Sequence, residues 1–169
     1  RHKMPRTFAT YMVGTLALAG IFPLAGFWSK DEIIGHAWYG SGAEGGETHR
    51  TIAIFLILSS MLTAFYMARQ VAMVFFGEQR DKSINAHESS PLMIWPLIIL
   101  AVGSLLGGLI NLPGLHYLTT WLQPLLEEGA APFHWQLPLV VMTLALLSGW
   151  AGFTYYRRAE RRIKATPVS

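Results

Sequence analysis

Residues 20–33 read Gly20-Ile21-Phe22-Pro23-Leu24-Ala25-Gly26-Phe27-Trp28-Ser29-Lys30-Asp31-Glu32-Ile33, and this stretch decides the fold. Three consecutive ionisable side chains, Lys30, Asp31 and Glu32, follow a run from Thr7 to Phe27 that carries no charge. The run is interrupted by Pro23, with Gly20 and Gly26 on either side. A proline inside a helix removes one backbone donor and clashes with the preceding turn. In lipid, the backbone groups freed at such a break must be satisfied by protein or water. Charge beside a broken apolar helix lines a water-filled or ion-conducting path. Trp28, Ile33, Ile34 and Trp38 carry the apolar character past the charges, so a second half-helix is expected after the break.

The rest of the composition agrees with a bilayer. Of 169 residues, 52% are hydrophobic and 14% charged, and mean hydropathy is +0.36. A soluble domain carries about 25% charged residues. The net charge of +3 comes from basic residues at segment ends rather than from a stripe, a pattern of membrane orientation and not of nucleic-acid binding. With no cysteine there is no disulfide framework, thiolate metal site or cysteine-held iron–sulfur cluster. No signal peptide is visible: the apolar run after Arg1 to Arg6 is too long and lacks a small-residue cleavage site. The sequence reads as a piece of something longer.

Four stretches reach the ~20 apolar residues that a spanning helix needs. They are the broken segment 7–39, then 51–76, 91–112 and 135–156. Between the last two, Leu115, Leu118, Leu122 and Leu125 recur at helical spacing, and residues 115–126 are expected as an interfacial helix with Tyr117 and Trp121 at headgroup depth. The expected fold is therefore all-α, a polytopic membrane protein of about four spans with the first broken near Pro23. Basic residues alternate between connections. Arg1, Lys3 and Arg6, then Arg80 and Lys82, then Arg157 to Lys164 fall on one side, and Glu44, Glu47, Glu127 and Glu128 on the other. Both ends are expected on the cytoplasmic face.

Lys30 is the leading candidate for chemistry. Its conservative reading is an interfacial lysine that snorkels at the far surface. Its functional reading is a proton relay at the break, where desolvation and a neighbouring carboxylate act on its proton affinity in opposite senses. Asp31 and Glu32 are the candidate carboxylates. Asp31 is adjacent in sequence and faces a different direction on a helix, whereas Glu32 and His36 lie one turn apart. Thr63, Tyr66 and Arg69 share one face of the second span. Arg69 either faces other helices and pairs, or marks the end of the span. His36, Tyr66 and Arg69 are thus candidates for a supporting role. His87-Glu88 lacks the second histidine of a zinc helix and reads as surface and capping sequence, with Ser89 or Ser90 starting the third helix before Pro91. Gly103 to Gly107, and Gly149 with Gly152, read as close-packing faces. No phosphate loop, nucleophile elbow or dinucleotide fingerprint is present.

Gly14 to Ile33 closely resembles the broken helix of the distal antiporter-like subunit of respiratory NADH:quinone oxidoreductase (complex I), the subunit called L or chain 5. Met4-Pro5, Thr63-Ala64-Phe65-Tyr66-Met67-Ala68-Arg69 and His87-Glu88-Ser89-Ser90-Pro91-Leu92-Met93 running into Pro96-Leu97 are similar to the same family. The resemblance implies a proton-translocating, non-redox membrane subunit with no catalytic chemistry, metal or cofactor of its own. FMN, iron–sulfur clusters, NADH and quinone would be handled by other subunits. It implies that Lys30 belongs to the polar axis that carries protons, accompanied by Asp31. It also implies other membrane-arm subunits and the lipid bilayer as partners, with no nucleic acid, in an energy-transducing membrane such as the bacterial plasma membrane. Earlier helices and a lateral helix after the basic cluster would complete the subunit. Two other functions fit the residues: the large subunit of a multi-subunit sodium/proton antiporter, and a passive membrane anchor that only assembles a complex.

Overall fold

The computed structural model describes residues 3–39, 46–77, 87–110, 121 and 135–165. Its principal helices are α1 (Pro5–Ala19), α2 (Ala25–Tyr39), α3 (Gly46–Phe75), α4 (Pro91–Ile110) and α5 (Gln136–Ala165), and no strand occurs among the described residues. Three of these contain segments long and apolar enough to cross a bilayer: His49–Phe75, Pro91–Ile110 and Gln136–Ala159. Each half of the broken segment has 15 residues. At 1.5 Å per residue that is about 22 Å, short of the ~30 Å hydrocarbon core. A crossing in this part of the chain needs both halves. Phe55, Leu62, Leu92, Leu100 and Trp150 are exposed, a surface suited to lipid or further membrane helices and not to water. The molecule is an all-α polytopic membrane fold with its first span broken.

The break falls where glycine and proline place it. Gly20 ends α1 in the left-handed region at φ 75°, its N–H donating to the Ala17 carbonyl, while the Ile21 N–H donates to Leu16, each at 3.0 Å. This αL cap satisfies two of the carbonyls that a helix end leaves open. After a cis Phe22–Pro23 bond, the Phe27 N–H returns to the Leu24 carbonyl and α2 begins. Glycine is required twice more here because backbone meets backbone. A side chain at Gly26 would overlap the Ala17 carbonyl, and one at Gly108 of α4 would overlap the Pro23 carbonyl. A Cβ added at Gly107 would meet the Ala25 side chain at ordinary contact distance. Thus the α4 glycine surface grips the break through Gly107 and Gly108, and Gly103 meets nothing within 4 Å among the described residues.

The most extensive helix pairing is α3 with α5. Ala64 and Ala145 are buried there with Ala19 of α1. The Ser148 hydroxyl donates to the Met61 carbonyl at 2.7 Å, and a Cβ on Gly152 would come 2.8 Å from the Phe65 carbonyl. Such small-residue seams let membrane helices approach closely. α5 runs on through Arg157 and Arg158 to Ala165, because the sequence there is rich in helix formers and meets no breaker before Pro167. Of the expected interfacial helix at 115–126, all but Trp121 lies outside the described residues, as does the connection around Arg80.

The start of α1 has an unexpected partner. Its N-cap residue, Met4, offers no side-chain hydrogen bond, and Pro5 at the first position has no N–H to satisfy. The two next amides are taken by a residue 82 and 81 positions away. Glu88 accepts from the Arg6 N–H at 2.8 Å, from the Thr7 N–H at 3.3 Å and from the Thr7 hydroxyl at 2.6 Å. Glu88 therefore caps α1 from outside, whereas α4 opens on the Ser90 carbonyl, which accepts from Met93 and Ile94. The Thr7 hydroxyl is the main cause holding the Glu88 carboxyl below the usual glutamate range; burial opposes it, and the amides of Arg6, Thr7 and Ser89 add to it. A carboxyl depressed in the native state stabilises that state fully above its unfolded pKa, and this contribution is lost as pH falls through the folded value. Hydrogen-exchange protection of the Arg6 and Thr7 amides is accordingly expected to hold at neutral pH and to collapse below the ordinary carboxylate range. Glu88→Gln should show no such acid transition.

Candidate functional site

Lys30 lies on the second turn of α2 and reaches back across the break. Its ammonium donates to the Leu18 carbonyl, 12 residues earlier, at 2.5 Å. The local chemistry explains the choice of acceptor. The αL cap uses the Leu16 and Ala17 carbonyls, which leaves Leu18 open at a helix end where partial negative charge accumulates. The lysine stem passes directly over Gly20, where a Cβ would lie 3.2 Å from Lys30 Cδ. Gly20 therefore serves two purposes: it turns the chain and it leaves room for the lysine.

The structure separates the two carboxylates that the sequence left open. Asp31 is buried, at 8% exposure, whereas Glu32, the next residue around α2, is exposed. Lys30 and Asp31 border a cavity of about 10 Å³ closed by Ser60 of α3 and by Pro138, Val141 and Met142 of α5. That is space on the scale of one water molecule. No ion pair joins Lys30 to Asp31 among the described residues. Lys30 also borders a second cavity, about 110 Å³, with Ser59, Ser60 and Thr63 of α3. A third cavity of about 340 Å³ lies between α1, α3 and α4 and is lined by Thr7, Thr10, Tyr11, Thr15, Leu18 and Ser104 among others. The Thr15 hydroxyl is buried there with no hydrogen-bond partner among the described residues.

The supporting candidates lie elsewhere. His36 is exposed on α2, and Tyr66 is half exposed on α3. α3 continues past Arg69 to Phe75, and the exposed guanidinium sits over the Tyr156 ring of α5 at 4.9 Å. Nine residues separate it from Ser60, about 13 Å along the helix, so it is not part of the Lys30 cluster. No group of three metal-ligating side chains occurs among the described residues. Three participants escaped the sequence reading. Ser60 had a signal, a small polar residue inside an apolar span. The Leu18 carbonyl had none, since every residue carries one. Glu88 was read as surface and capping sequence, and the helix it caps lies far away in sequence.

A broken apolar helix, a lysine seated on its first half and two cavities bordered by that lysine define a class: polytopic membrane proteins with an ionisable group held at a helix break. Comparison with known proteins narrows this to one family. The chain is 40% identical over 148 residues to NADH-quinone oxidoreductase subunit L of Mycobacterium tuberculosis strain H37Rv, covering 86% of this chain and 22% of that protein. It is 42% identical over 114 residues to the subunit L of Rickettsia conorii, covering 66% of this chain and 16% of that one. With the NAD(P)H-quinone oxidoreductase chain 5 of a Picosynechococcus strain it shares 37% identity over 134 residues, covering 67% of this chain and 19% of the relative. No family model matches. The chain belongs to the subunit L/chain 5 family of complex I antiporter-like subunits, and it spans about a fifth of the length of the curated relatives it matches.

Proposed function

We propose that this chain forms part of the proton-translocating path of a membrane-bound NADH:quinone oxidoreductase, with Lys30 as the group that takes up and releases the proton. The observation that carries the reading is the seat of the Lys30 ammonium on the Leu18 carbonyl, at the break and bordering two cavities. A charge-assisted hydrogen bond is roughly twice as strong as a neutral one. Loss of the proton therefore loosens the seat and frees the side chain to turn toward Ser60 and Thr63. Asp31, buried on the wall of the smaller cavity, is the carboxylate placed to tune this exchange; Glu32, exposed, has a lesser part. His36, Tyr66 and Arg69 act outside the exchange itself.

The relatives' names support assignment to the same enzyme. On this reading the partners are the other membrane-arm subunits and the lipid bilayer, and electron transfer from NADH to quinone through FMN and iron–sulfur clusters takes place in other subunits. Both ends of the segment face the cytoplasm of an energy-transducing membrane. The test is Lys30→Ala in the assembled enzyme. Protons moved per electron, or turnover itself, should fall while the subunit still assembles. An unchanged proton-to-electron ratio at parental turnover would remove Lys30 from the path.

A further inference from the structure

α1 packs against α3 through Phe8 and Tyr11 and meets Gly26 of α2 at Ala17, and two contacts tie it and the turn after it to α4 and the residues just before α4. At one end Glu88, three residues before α4, holds the Arg6 and Thr7 amides and the Thr7 hydroxyl. At the other, Gly108 of α4 seats the Pro23–Leu24 backbone. Between these contacts a cavity of about 340 Å³ is lined by α1, α3 and α4. Phe8 packs edge-on against Phe75 at 5.0 Å and Phe76 at 6.1 Å, but ring contacts of this kind resist separation more than sliding. Directional hydrogen bonds resist sliding, and the only cap on α1's first amides belongs to Glu88 among the described residues. The Lys30 seat depends on that axial position. The Leu18 carbonyl is the far end of the same rigid helix, and a hydrogen bond fails once its donor and acceptor drift beyond roughly 3.5 Å.

We propose that Glu88 is a positioning residue for Lys30: by gripping the start of α1 from the base of α4, it fixes the axial register that places the Leu18 carbonyl under the lysine ammonium. Its consequence for pumping rests on the function proposed above; its consequence for the geometry of Lys30 does not. The two are measured separately in the intact subunit within its assembled complex. The amine-labelling rate of Lys30, read by mass spectrometry, reports the seat, and proton translocation reports the function.

Glu88→Ala should raise Lys30 labelling about tenfold, the equivalent of one lost hydrogen bond to a charged group, and lower pumping several-fold. Adding Met4→Asp gives α1 an N-cap of its own without a tether to α4. That double variant should recover protection of the Arg6 and Thr7 amides and leave Lys30 labelling high. Recovery of labelling and pumping by Met4→Asp would make Glu88 a helix cap only and overturn the proposal, as would unchanged labelling in Glu88→Ala. Raised labelling with unchanged pumping would uphold the positioning and overturn the relay reading of Lys30 instead. Should Glu88→Ala fail to assemble, Thr7→Val removes just the 2.6 Å hydroxyl bond, and a several-fold rise in labelling or its absence decides the question the same way.

Discussion

Lys30→Arg is expected to cut proton translocation by about 100-fold or more, the lower range of what a lost proton-transfer group costs, while the complex assembles normally. Arginine keeps the positive charge and can still donate to the Leu18 carbonyl, so the electrostatics of the break are preserved. It does not release its proton in any accessible pH range. The substitution therefore divides the two roles that a half-buried cation can have. The geometry makes it a demanding test as well, because the Lys30 stem passes over Gly20 where even a Cβ would be tight and a planar guanidinium must follow the same course. Assembly is checked on native gels and pumping by the pH change per electron in sealed vesicles. If the arginine form pumps like the parent, Lys30 is a fixed charge or an anchor, and proton exchange at this break is excluded.

The second large effect is expected from the glycines around the break. Ala at Gly26 would drive a methyl group into the Ala17 carbonyl, and Ala at Gly108 would drive one into the Pro23 carbonyl. Both obstacles are backbone, on elements that cannot rotate aside as a side chain would. Each substitution should destabilise by about 1–3 kcal/mol, the usual cost of overpacking, with Val at either site preventing assembly. Gly35 offers the control: it lies on α2, and nothing among the described residues stands within 4 Å of a Cβ there. Gly35→Ala should be neutral or slightly stabilising through helix propensity. Thermal unfolding of the purified complex measures all three. Equal melting of Gly26→Ala and Gly35→Ala would mean that the two half-helices do not meet as described.

What the sequence determined by itself was local. The end of α1 at Gly20, the turn through Pro23 and the restart before Phe27 follow from the conformational limits of glycine and proline within seven residues. The long apolar helices follow from composition, which in lipid leaves few alternatives to a helix. Lys30 stood out as a candidate because a charge beside a broken apolar helix is costly wherever it sits. Tertiary structure decided what such reasoning cannot reach. Asp31 and Glu32 were both open as the carboxylate beside Lys30, and the packing of α3 and α5 against α2 buries one and leaves the other exposed. The acceptor of the lysine is a main-chain carbonyl, a group without residue identity, selected by which carbonyls the αL cap had already used. Glu88 looked like the lead-in to its own helix and instead caps one 81 residues away, because α1 and α4 are neighbours in space. Among the glycines, Gly108 and not Gly103 carries the α4 contact, since helices meet at a point set by their crossing and not by the spacing of small residues along one of them.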